Sequence, residues 1–229
     1  MRRLAALAAT LGLIGPAAAQ TLDFDTELLA IQHAWDEASY SSANEDQKRE
    51  RLEALSHRVD AFVRSYNGRA EPLIWQGIVL SSYAGAKGGL GALSLAKKAR
   101  DSLLAALQAN PDALSGSAYT SLGALYFKVP GFPIGFGNDR KADEYLKKAL
   151  QINPEGIDPN YFYGELLFEQ HKYAEAGPYL QKALAAPPRP QRPLADSGRR
   201  AEANALLERV REKIGPGALD TANAHAGTP

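Results

Sequence analysis

Glu165 and Glu169 stand four residues apart, a spacing that puts two carboxylates on one face of a helix. A carboxyl pair so placed can divide general acid and general base work. No nucleophile or orienting histidine is spaced to serve them, so a solvated or ion-paired helix face is the better reading. His33, His57, His171 and His225 form neither a His-x-x-x-His nor a His-Glu-x-x-His pair, and without a cysteine in the chain they do not make a zinc set. No Gly-x-Ser-x-Gly elbow occurs. The run Gly-Phe-Pro-Ile-Gly-Phe-Gly-Asn-Asp at 131–139 has the composition of a phosphate loop, but it lacks the Gly-Lys-Ser/Thr ending and a preceding strand. No catalytic residue, metal ligand or cofactor is therefore expected, and the chain reads as a binder rather than an enzyme.

Charge narrows the partners. Twenty-six basic residues balance twenty-six acidic ones, which gives no basic footprint for nucleic acid. The one local concentration is Arg189, Arg192, Arg199 and Arg200 around Asp196. Either it docks an anion or a partner, or the arginines hold Asp196 and the carbonyls at helix ends; the second reading is preferred. Arginine forks grip carboxylates through two bonds, so Asp196→Ala is expected to weaken the C-terminal cap.

The elements that would position these residues follow from a repeat. Ala99, Leu103, Ala106 and Pro111 recur as Ala142, Leu146, Ala149 and Pro154, and again as Ala176, Leu180, Ala183 and Pro188. Offsets of 0, 4 and 7 line one helix face, small alanines let a neighbouring helix approach, and the proline ends the unit. Each such helix follows another that carries a glycine: Gly77, Gly123 or Gly164. This is the pattern of a tetratricopeptide helix pair. The third unit has the regular interval from glycine to first alanine. The first and second exceed it by ten and seven residues, which reads as insertions between the paired helices.

The expected fold is all-α: a tetratricopeptide-like, right-handed superhelix of antiparallel helix pairs, nine or ten helices in all. Units span about 70–111, 116–154 and 157–188. An N-terminal helical hairpin over 23–39 and 45–63 precedes them, and a capping helix over 196–214, with Asp196 as N-cap, follows. The single domain runs from 20 to 214, and 215–229 reads as a disordered tail. Before it, Arg2 and Arg3, an apolar run over 4–14 and Ala17-Ala18-Ala19 make a secretory signal, with cleavage expected between Ala19 and Gln20. The expected destination is the periplasm, with no membrane span and, for want of cysteine, neither disulfide nor lipid anchor.

Within such an array the first helices line a concave groove. Its positions here are Ile74, Ile78 and Ser82, then Thr120, Phe127 and Lys128, then Tyr161, Glu165 and Phe168. This mix of aromatic, aliphatic and polar groups suits a ligand or partner groove, unless the insertions or terminal helices cover it as core. The second insertion, 128–138, carries Val129, Phe132, Ile134 and Phe136. So apolar a loop is not expected to sit in water; it either folds back or lines a pocket or contact.

The Val-Pro-Gly-Phe-Pro insertion, the Gly-Phe-Gly before a helix, Tyr161-Phe162-Tyr163-Gly164 and the basic segment 189–200 together resemble the T-component proteins associated with TRAP transporters, often called TatT-like. The resemblance covers 126–207 and is looser towards the N-terminus, where it runs through Gly88-Gly89-Leu90-Gly91. It implies a periplasmic accessory of solute uptake that engages a solute-binding protein or a small apolar or amphipathic organic solute, in a chain that here lacks the acylated cysteine of lipidated relatives. A general scaffold of envelope assembly, holding a protein's extended tail in the groove, is the alternative. A homo-oligomer is compatible with either.

Overall fold

A computed structural model describes residues 16–215, with the backbone alone for 16–22 and Leu90. The apolar run and basic residues of the expected signal, and the tail after Gly215, lie outside the described residues; the expected cleavage point falls in the first turns of the first helix. Along the chain, nine helices are described: α1 (Pro16–Tyr40), α2 (Glu45–Ser65), α3 (Ala70–Lys87), α4 (Gly89–Ala109), α5 (Ala113–Lys128), α6 (Asp139–Ile152), α7 (Ile157–Glu169), α8 (Tyr173–Ala185) and α9 (Pro193–Ile214). The described residues form no β-strand, only an isolated bridge between Gly131 and Gly137. The fold is all-α and tetratricopeptide-like.

The repeat owes its form to one contact made three times. Gly77 of α3 packs on Leu103 of α4, Gly123 of α5 on Leu146 of α6, and Gly164 of α7 on Leu180 of α8. A methyl group at these glycines would lie 2.4, 2.4 and 2.9 Å from the leucine Cγ, so only glycine lets each pair close this tightly. The alanines before and after each leucine, Ala99 and Ala106, Ala142 and Ala149, Ala176 and Ala183, are wholly buried. Burial of each leucine is worth about 2 kcal/mol, and the three pairs share one core.

The two long units accommodate their extra residues in different ways. In the first, the ten extra residues are helix, not loop: α3 and α4 are 18 and 21 residues long, against 13 each for α7 and α8, and Gly88 alone joins them. Gly88 and Gly89 both have left-handed backbone, which lets the chain reverse there without a longer connection. In the second, the extra residues are a true loop between α5 and α6, and Asn138 ends it by accepting a hydrogen bond from the Lys141 amide as N-cap.

Nor does Asp196 cap α9. The helix starts three residues earlier at Pro193, whose fixed φ and missing N–H suit a first turn, and Asp196 is buried inside that turn. At the other end, α1 packs on α2 and α3 and also reaches α9. Because α3, α5, α7 and α9 touch in succession, the contact of α1 with α9 closes the inner layer on itself.

Candidate functional site

Closure decides what becomes of the concave positions. Ile74, Thr120, Tyr161 and Phe168 are buried, while Ile78, Ser82, Phe127 and Glu165 are half-buried. Lys128 alone among the nine is exposed. Much of the covering comes from α1: the Trp35 indole donates to the Ser82 hydroxyl at 2.9 Å and stands edge-on to Trp75. An open groove along the first helices is therefore absent over α3, where a terminal helix has taken its place.

A buried ionic clasp holds that closure. Arg192, in the turn before α9, forks onto the Asp36 carboxylate of α1 and lies over the Trp35 and Trp75 rings. His33 meets the Gln191 carbonyl at 2.7 Å, and the Tyr40 ring rests against Gly198. Alongside, Asp158 of α7 accepts from Arg189 at 2.7 Å and from Arg199 at 2.9 Å, and Asp196 accepts from the Arg189 amide and side chain, both at 2.6 Å. Arg199 also pairs with Glu202, and Arg200 bonds the Ala186 carbonyl at 2.7 Å. The arginine concentration is thus matched by Asp36, Asp158, Asp196 and Glu202, and holds helix ends rather than a free anion.

Electrostatics follow from this pairing. Burial works to raise the Asp158 carboxyl, but Arg199, Arg189 and Arg192 outweigh it and hold the group down to about 2. Burial pushes the Tyr40 hydroxyl up to about 12, against the pull of Arg199. For Tyr161, burial and then Glu165 act in the same upward direction. These phenols stay neutral at physiological pH.

What remains open lies at the far end of α5. Lys128 bonds Glu165 at 2.8 Å and sits over the Phe127 and Phe162 rings. The second Glu165 oxygen is buried and has no hydrogen-bond partner. Beside the pair, Phe127, Lys128, Val129, Pro130, Asn138 and Asp139 line an open cleft of about 590 Å³. Glu169 is exposed, so the two carboxylates that sequence spacing put together have different surroundings. Among the described residues no histidine and carboxylate group of three could hold a metal.

The apolar loop divides in two. Val129 and Phe136 fold back onto the core, Phe136 edge-on to Tyr126 and beneath the Arg100 guanidinium. Phe132 and Ile134 do not: they are 94% and 71% exposed in this single chain. Short turns explain the split, since Gly135 and Gly137 let the chain fold on itself and leave the tip facing outward. The clasp residues Trp35, Asp36, Tyr40 and Asp158 escape a reading from repeats because none lies at a repeat position.

No protein-family model matches the chain, and no curated protein matches its sequence. Among solved structures, that of the MamA protein aligns with 89% of this chain and 98% of its own, at 16% identity and a TM-score of 0.40. That distance transfers no function.

Proposed function

We propose that this chain is a non-catalytic interaction module of the periplasm, released there by cleavage between Ala19 and Gln20, and that it serves TRAP-type solute uptake by engaging a solute-binding protein. The observation that carries the reading is the open cleft at the end of α5, with the Lys128–Glu165 pair and aromatic rings at its edge. Aromatic groups beside a few placed charges are what a protein-binding edge requires. Over α3 the concave face is covered by α1, which leaves a partner's extended tail little room there. That favours a folded partner docking at the edge over a scaffold that threads tails, and it favours a protein over a solute enclosed by this chain itself. The choice of a solute-binding protein rests on the resemblance of 126–207 to the T-component proteins.

The test is capture from a periplasmic extract with the tagged chain and its Lys128→Glu variant, which sets two carboxylates against each other at the cleft. The reading expects a solute-binding protein with the wild type and its loss with the variant. Recovery of outer-membrane assembly factors alone would overturn the transport role.

A further inference from the structure

We propose that the loop between α5 and α6, together with the start of α4, is a peripheral membrane-binding edge that inserts Phe132 and Ile134 into a bilayer rich in anionic lipid. The two exposed side chains flank Pro133 at the tip of a projecting knob, the only large apolar side chains so exposed among the described residues. The knob is preformed. The Ile134 and Gly135 amides both donate to the Gly131 carbonyl, the Gly137 amide to that of Pro130, and the Asn138 amide to that of Tyr126. A loop whose backbone groups are tied off in this way can enter the headgroup layer without stranding donors in an apolar medium.

Charge selects the acceptor. The chain as a whole is neutral, yet segments 85–100 and 127–141, which contain both departures from the regular repeat, carry seven lysines and arginines and a single carboxylate, Asp139; three of the seven, Arg100, Lys128 and Arg140, pair with Asp101, Glu165 and Glu144 outside the segments. The structure brings these segments together: Leu93 of α4 lies against Gly135, and Arg100 covers Phe136. Lys97 falls between them on that face of α4. Lys97 and Lys141 have no carboxylate within salt-bridge distance among the described residues, so their charge is not cancelled locally. An apolar tip inside a cationic collar is the pattern by which a peripheral protein combines shallow insertion with attraction to acidic headgroups. A convex knob needs no matching pocket in a fluid bilayer, whereas a protein acceptor must supply one. No described helix is long and apolar enough to cross a membrane, so the contact is one that lies on the surface.

The experiment is flotation of the full chain with vesicles of phosphatidylglycerol and phosphatidylcholine, against vesicles of phosphatidylcholine alone. Wild type is compared with Phe132→Asp/Ile134→Asp and, separately, with Lys97→Glu/Lys141→Glu. All variants share one N-terminus, so the difference between them reports the edge. The wild type is expected to favour the anionic vesicles and to lose binding as salt rises. The apolar pair is expected to reduce binding about ten-fold or more, and the charge pair to flatten the salt dependence. Unchanged thermal unfolding would show that these exposed substitutions leave the fold intact; a variant that failed to fold would leave the other pair to decide. Equal binding to neutral vesicles, or equal binding by both variants, overturns the proposal. So does an absence of vesicle binding with loss of a captured protein in the apolar variant, which would make the knob a protein-docking element. Because capture at the cleft is measured without lipid, failure here is separable from failure of the proposed function.

Discussion

Two glycines of ordinary helical backbone separate space from propensity. An alanine at Gly123 would drive its methyl to 2.4 Å from Leu146 Cγ and 3.2 Å from the Ala142 carbonyl, whereas one at Gly85 would meet nothing within 4 Å. Overpacking costs up to ~3 kcal/mol and the gain in helix propensity returns about 1, so Gly123→Ala is expected to destabilise by ~2 kcal/mol. Gly85→Ala has only the propensity gain and is expected to stabilise by ~0.5–1 kcal/mol. Urea unfolding reads both, and the opposite signs are the point. Asp158 gives a pH counterpart. Its folded carboxyl lies below its unfolded value of 3.8, so its contribution is complete above about pH 4 and is lost as pH falls through about 2. The size is about 2 kcal/mol, and Asp158→Asn should remove that acid dependence from the stability profile.

At the scale of elements, the helix pairs were legible because their markers touch: Gly77, Gly123 and Gly164 meet the leucines of the same units. Spacing alone did not say whether extra residues extend helices or form a loop. Ten residues with helix formers and a Gly-Gly reversal became longer α3 and α4, while prolines and glycines at 130–137 kept the second insertion irregular. The pairing of arginines with Asp196 was legible from their spacing, but the Asp36–Arg192 contact was not, since the two lie 156 residues apart and no local pattern relates them. Each is nearly buried, so removing one strands the other: Asp36→Ala or Arg192→Ala should each cost about 3 kcal/mol, and the double variant should cost clearly less than their sum. Hydrogen exchange should show α1 opening first in either single variant. Equal protection of α1 in wild type and variant would mean that the hairpin is held by α2 and α3 alone.

For the whole molecule, closure of α1 on α9 covers the concave face over α3 and leaves open space at the edge, at the end of α5. Of the candidate groove positions, Phe127 and Lys128 border the open cleft and Glu165 is half-buried behind Lys128, while Ile74, Thr120, Tyr161 and Phe168 are core. Which residues stay accessible depends on the terminal helices, and their placement lies beyond what one unit's periodicity encodes. The edge at the end of α5 is thus where recognition is expected, and the most direct measurement is photocrosslinking in the periplasm from position 128, with exposed position 57 on α2 as the control. The account predicts an adduct with a solute-binding protein from position 128 and none from position 57. Adducts of equal yield from both positions, or adducts with assembly factors alone, would contradict it.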